Sequence, residues 1–349
     1  MVGHRAFHGL AKMLFSRRTA EPPECAPEKI LLLRVDERVG NLLGMQPLID
    51  VIRTRWPGVK LGLMASTRME LVARSLDGLD HLHMLDKRWF LSKPHCWRQA
   101  IRQVRSAGYQ VAVDASAWHA FSFTHAALTF YSGAPMRVGY QRVGWDGFHN
   151  HLVLPGPEEE HELRQRMRLL KPMDPELDLS PPRLRSSLGE AQAHRWRRWI
   201  RSHPLNQPLV GFWPGSRKKE RRWPLPYYIQ LGRQLQQQLD AEIVLLWGPG
   251  EESLRDGLGS ALRQGVVEAP ATDLEELAGL MRNLDILVTN DTGPMHLSVA
   301  VGTPTLSIFA SGVASRWGHP YQDVCNLALP GEDPAEVALA LNAAKSLLG

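Results

Sequence analysis

The densest chemistry in the chain lies at Asn290-Asp291-Thr292-Gly293-Pro294-Met295-His296, directly after the apolar run 286–288 and ahead of the helical stretch 297–301. An Asp/Thr/Gly turn that opens a helix presents unpaired backbone N–H groups and the positive end of the helix dipole, which together make an anion site. A phosphate or diphosphate fits there, with Thr292 donating its hydroxyl, His296 one turn in reaching a phosphate oxygen, and Asp291 holding the turn or a ligand hydroxyl. The competing reading is structural: Asp291 and Thr292 cap the helix and His296 is a core histidine. A second loop, 213–224, follows the run 209–213 and places five basic residues within 217–222, behind the Gly215-Ser216 turn. Backbone donors at such a turn fix geometry while Lys219, Arg221 and their neighbours neutralise a polyanion. A third loop, Trp247-Gly248-Pro249-Gly250-Glu251-Glu252, offers a glutamate to ribose hydroxyls, or simply a helix cap. Three loops at three strand ends of one half agree on a nucleotide diphosphate.

The first half offers carboxylates instead. Asp36 and Glu37 follow the run 30–35, and Asp114 ends the run 111–113. Carboxylates that face a bound activated group are what a general base needs, because an acceptor hydroxyl loses its proton as it attacks. GxGxxG after a first strand, GxxxxGK[ST], HExxH and GxSxG are all absent, so nicotinamide, P-loop, zinc-protease and serine-hydrolase chemistry lose their usual signals.

The elements that must position these loops are short apolar runs separated by amphipathic helical stretches, the pattern of a doubly wound α/β protein. The runs are 30–35, 59–64, 81–85 and 111–113 in the first half, and 209–213, 243–247, 266–268, 286–288 and 305–309 in the second. Ligands of open α/β sheets sit beyond the carboxyl ends of the strands, so the expected architecture is two such domains facing across a deep cleft. The expected boundaries are a basic extension and linker at 1–28, a first Rossmann-like domain at 29–156, an interdomain region rich in Pro and charge at 157–206, and a second Rossmann-like domain at 207–349. At 349 residues, 44% hydrophobic and 22% charged, the chain is long and apolar enough for two cores. Three widely spaced cysteines exclude a disulfide framework and a structural zinc site, and point to a reducing cytoplasm. A net charge of +5 is too diffuse for a nucleic-acid protein but suits a phosphate-bearing partner. No apolar run is long enough to cross a bilayer. Residues 1–20 carry Arg5, Lys12, Arg17 and Arg18 with no acid, and read as a basic amphipathic helix that lies on an anionic membrane surface or docks on the protein's own core.

The ordered segments 30–53, 109–114, 132–140, Pro214-Gly215-Ser216 with Arg221-Arg222-Trp223-Pro224, Trp247-Gly248, and Asp291-Thr292-Gly293-Pro294-Met295-His296 resemble those of the lipopolysaccharide heptosyltransferases of glycosyltransferase family 9, over about residues 30–330. The resemblance implies a GT-B fold whose second domain holds the donor. It also implies inverting transfer of heptose from ADP-L-glycero-D-manno-heptose to a lipid-anchored lipopolysaccharide core at the inner face of the inner membrane, with no cofactor or metal. By the motif match, Ser216, Asp291, Thr292, Gly293 and His296 hold the donor diphosphate and sugar. Arg221 stands where the family commonly has a phosphate-binding Lys, Lys219 joins the cations that meet the departing charge, and Glu252 lies near the family's ribose glutamate. In well-known members a Gly-Asp pair supplies the proposed base; here the pair is Gly40-Asn41 and the loop from Arg34 is one residue longer. An amide cannot accept a proton, so a carboxylate of that loop, Asp36 before Glu37, is expected to substitute, although a salt bridge to Arg34 or Arg38 is an equal use for Asp36. Asn41 also keeps open a non-catalytic sugar-nucleotide-binding relative; a transferase using another nucleotide sugar and a GT-B epimerase are further alternatives.

Overall fold

The computed structural model describes residues 26–142, 147–203, 208–262 and 264–349; the amphipathic helix expected over 1–20 lies outside the described residues. The chain divides into two compact units, Met1–Pro182 and Arg183–Gly349.

The first unit runs β1 (Lys29–Arg34), α1 (Val39–Leu43), α2 (Gln46–Arg55), β2 (Lys60–Ser66), α3 (Glu70–Arg74), β3 (His81–Leu85), α4 (Trp89–Ser92), α5 (Pro94–Ala107), β4 (Val111–Asp114), α6 (Phe123–Tyr131), β5 (Met136–Tyr140), β6 (His151–Val153) and α7 (Glu162–Met167). Its strands form one parallel sheet in the order β3-β2-β1-β4-β5-β6. Parallel strands are covered on both faces, which is why β1 reads as the unbroken run Ile30, Leu31, Leu32, Leu33, all fully buried. Pro94 starts α5 without wasting a backbone donor, and Gly108, at φ +67, ends it in the left-handed region.

The second unit runs α8 (Glu190–Arg201), β7 (Leu209–Trp213), α9 (Leu225–Leu239), β8 (Glu242–Leu245), α10 (Glu252–Leu262), β9 (Val266–Glu268), α11 (Leu274–Met281), β10 (Ile286–Asn290), α12 (Gly293–Ala300), β11 (Thr305–Phe309), α13 (Ala314–Trp317), β12 (Val324–Ala328) and α14 (Glu336–Leu348). Its parallel sheet has the order β12-β11-β10-β7-β8-β9. Counted from its own first strand, this is the same order as the first sheet, the Rossmann order. Phe212, Trp223, Tyr228, Leu231, Ile243, Ile286 and Val337 lie in its core.

In each sheet the direction of winding reverses between two central strands, β1 and β4 in one and β7 and β10 in the other. Backbone loops part there and leave a crevice at the carboxyl ends. The stretch 157–206 is shared: α7 belongs to the first unit, and α8 to the second, where it packs along α11. That packing is close, since a Cβ on Gly279 would stand 2.7 Å from the Cβ of Gln192. Part of the Arg/Trp-rich stretch 195–201 serves this contact, with Trp196 buried and Arg195 paired to Glu276 at 2.7 Å.

Candidate active site

At the switch point of the second sheet, Asn290 ends β10 fully buried and joins two loops. Its Oδ1 accepts the Trp223 backbone N–H at 2.9 Å, and its Nδ2 donates to the carbonyls of Pro214 at 2.8 Å and Gly215 at 3.3 Å. The loop after β7 is thereby held against the start of α12. Trp223 is anchored in turn, its indole N–H donating to Glu336 at 2.8 Å, and Arg222 Nε folds the basic segment back onto the Ser216 carbonyl at 2.8 Å. Ser216 is buried in this turn, whereas Lys219 is exposed on a short 3-10 turn, Lys219–Arg221.

Arg221 reaches Asp291, with Nη1 at 2.6 Å from Oδ2, and Asp291 is only 3% exposed. Burial pushes the Asp291 carboxyl above its ordinary value, against the pull of Arg221 and Lys218. Thr292 is the extended N-cap residue of α12, yet its side chain makes no capping bond; Gly293 and Pro294 form the first turn. The capping reading therefore does not describe Thr292. His296, one turn in, is half-buried, and its Nδ1 shares a 2.8 Å hydrogen bond with Nε2 of buried His319. His319 stacks on Tyr321 with ring planes 12° apart, and the Arg183 guanidinium lies 4.8 Å over the Tyr321 ring. Arg183, Tyr321 and His319 thus stack in series, and His319 meets the His296 ring edge-on, at 88°, through the hydrogen bond that orients it.

The loop after β8 approaches through Glu251 rather than Glu252. Glu251 accepts the Gly248 N–H at 3.1 Å and lies against Gly215, where a Cβ would stand 2.1 Å from its carboxylate. Burial raises its pKa. Glu252 is exposed at the start of α10 and accepts the Gly250 N–H at 3.2 Å. Asn290 and Glu251 stand inside the motifs but were given no role of their own as site residues, and nothing local marks His319, 23 positions from His296.

In the first unit, buried Arg34 ends β1 and organises the following loop. Its Nε pairs with Asp36 Oδ2 at 2.6 Å, and its Nη1 donates to the Ala115 carbonyl beyond β4. Asp36 Oδ1 accepts from Asn41 Nδ2 at 3.1 Å and from the Arg38 backbone N–H at 3.2 Å. Burial works to raise the Asp36 pKa, but the Arg34 charge and the Asn41 hydrogen bond outweigh it, and the carboxyl stays below its ordinary value. Asn41 lies on α1, where its carbonyl accepts from Arg166 Nη1 at 2.8 Å. Glu37 turns away to Arg68 at 3.2 Å and Lys87 at 3.8 Å.

Asp114 is unsuited to the base role considered for it. It is 0% exposed, its Oδ2 is 3.1 Å from His149 Nε2, and its Oδ1 accepts the Ser116 N–H at 2.9 Å. A carboxylate with no solvent path, held well below the usual range by these partners, braces the sheet end rather than collecting protons. Buried His125 accepts the Val35 N–H at Nε2, 3.0 Å away, so its proton is on Nδ1 toward Ser122 Oγ at 2.7 Å. Asp36, at 27% side-chain exposure, is the carboxylate of this network that a second molecule can reach.

Two Rossmann-ordered units, one of them with a cationic helix-terminus site at its switch point, have the fold of the GT-B glycosyltransferases. The chain belongs to glycosyltransferase family 9, the heptosyltransferases, whose family model matches residues 96–336. It is 36% identical over 110 residues to lipooligosaccharide heptosyltransferase 2 of Haemophilus influenzae, an alignment that covers 30% of this chain and 31% of that protein. Among solved structures, a family 9 glycosyl transferase from Veillonella parvula superposes with a TM-score of 0.78 at 19% identity, over 92% of this chain and 97% of the other. The ADP-heptose lipopolysaccharide heptosyltransferase II of Escherichia coli does so with a TM-score of 0.72 at 19% identity, over 92% and 98%.

Proposed function

We propose that this glycosyltransferase moves a heptose from ADP-L-glycero-D-manno-heptose to the inner core of lipopolysaccharide, with inversion and without a metal. The observation that carries the reading is the first turn of α12: Thr292 leaves its hydroxyl out of the cap, Gly293 opens the helix, and the Arg221–Asp291 pair stands beside them. Such a terminus supplies backbone donors and a positive potential where a leaving diphosphate gathers charge, and Arg221, Lys219 and His296 add to it. Ser216 and its turn hold the same group, and Glu252 or its neighbour Glu251 takes the ribose.

In the reaction the anomeric carbon–oxygen bond to the diphosphate breaks as the acceptor oxygen bonds to the opposite face of that carbon. ADP leaves with the electron pair, and the acceptor's proton passes to a carboxylate, which we assign to Asp36. Its hydrogen bond from Asn41 supports this, because it puts a carboxylate oxygen 3.1 Å from the side chain that fills the family's usual base position. A lipid-anchored acceptor places the protein at the inner face of the inner membrane.

The test is ADP release from ADP-heptose by the full chain, with and without deep-truncated lipopolysaccharide, in EDTA. Acceptor-dependent release is expected. Tight ADP binding with no release would favour another donor sugar or the non-catalytic reading that Asn41 raises.

A further inference from the structure

The first unit carries a surface to which the reading above gives no part in the transfer. Between Asp86 and Asp114 the chain has six Lys or Arg residues, at 87, 88, 93, 98, 102 and 105, and no acid. Near the start of this stretch α4 presents Phe90 at 60% and Leu91 at 86% exposure, the second among the most exposed large apolar side chains described. A groove of about 370 Å³ runs beside them, lined by Phe90, Trp97, Arg98, Ile101, Arg102 and Tyr131. Phe90 packs edge-on against Trp97 with ring centroids 5.4 Å apart, so α4 is braced on α5 and not a loose flap. Arg88 is committed to Asp86 and Lys87 lies near Glu37, but among the described residues no ion pair engages Lys93, Arg98 or Arg102.

We propose that the α4–α5 face docks on an anionic lipid bilayer, with Phe90 and Leu91 entering the headgroup boundary and Lys93, Arg98 and Arg102 meeting lipid phosphates. Adjacent protruding apolar side chains ringed by uncompensated cations satisfy both demands of that interface, apolar insertion and attraction to negative charge. Long arginine stems bury their methylenes in the groove and keep the charge at phosphate level. α4 follows the carboxyl end of β3, on the same sheet edge as Asp36, and Lys87 near Glu37 ties the two loops together. A chain docked by this face presents that edge to an acceptor anchored in the same membrane. The proposal rests on the lipid-anchored acceptor of the reading above.

Cosedimentation of the full chain with phosphatidylglycerol-rich vesicles, against pure phosphatidylcholine vesicles, tests it. Binding to the anionic vesicles, weakened by salt, is expected. The pairs Phe90→Ser/Leu91→Ser and Arg98→Glu/Arg102→Glu should each lower partitioning by about tenfold or more, with the thermal unfolding profile unchanged. Equal binding by both pairs, no binding by the unaltered chain, or release only on deletion of residues 1–20 would each overturn the proposal. So would loss confined to the charge-reversed pair, since attachment by charge alone leaves Phe90 and Leu91 outside the headgroup boundary. Absent ADP release from ADP-heptose with intact vesicle binding would defeat the heptose-transfer reading and leave the docking face standing.

Discussion

Asp36 and Asn41 carry the clearest consequence at the level of single residues. If Asp36 takes the acceptor proton, Asp36→Ala should slow turnover by about 10²- to 10⁴-fold while ADP affinity, measured by calorimetry, stays the same. Unaltered turnover would remove Asp36 from the mechanism and leave it as the partner of Arg34. The pH response has a definite sign. Burial opposes ionisation, yet Arg34 and Asn41 leave the folded pKa below the ordinary carboxylate value, so the carboxylate's contribution to stability is complete above its unfolded pKa and is lost as pH falls through the lower folded one. Turnover that depends on Asp36 should therefore persist to lower pH than an ordinary carboxylate allows, and Asn41→Leu, which removes one of the groups holding the pKa down, should move the acid limb upward.

Among the elements, β10 and the loop after β7 are joined by one side chain. Asn290 makes three hydrogen bonds to the backbone of that loop from a fully buried position, and each lost bond would strand a buried backbone group. Asn290→Ala should lower unfolding free energy by about 2–4 kcal/mol in denaturant titrations, and weaken ADP binding because the turn at Gly215 and Ser216 loses its anchor. Asn290→Asp keeps the acceptor toward Trp223 but sets a buried carboxylate oxygen against the carbonyls of Pro214 and Gly215, and should cost at least as much as Asn290→Ala. Strand identity was legible at this scale where burial is complete: the runs at 209–213 and 286–288 lie in β7 and β10 because both faces of a central parallel strand want apolar side chains. β5, β6 and β12 were not read as strands. β5 is buried throughout but Arg137 and Gly139 break its apolar run, β6 has three residues, and β12 mixes Cys325, Asn326 and Leu327 on a half-covered edge.

For the whole molecule, the two units should respond differently to nucleotide. ADP that binds only the folded second unit stabilises it by about 2.7 kcal/mol at roughly 100 times its Kd. Hydrogen exchange should then slow in the loops after β7 and β10, with β1 to β4 unchanged; equal protection of both units, or none, would count against donor binding by the second unit alone. That two Rossmann-type halves exist, and that one gathers the Gly-, Ser- and Arg-rich loops proposed for phosphate, was already determined by local sequence, because run length, helical spacing and turn chemistry act over a few residues. Tertiary structure alone decided how the charged groups are paired and which of them solvent reaches. Asp114 and Asp36 look alike beside their strands, but His149, 35 positions away, closes over the first while the second stays open to solvent. Arg221 reads as a free cation until Asp291, 70 positions on, is found 2.6 Å from it. Burial and pairing arise between segments distant in sequence, and they set both pKa and access.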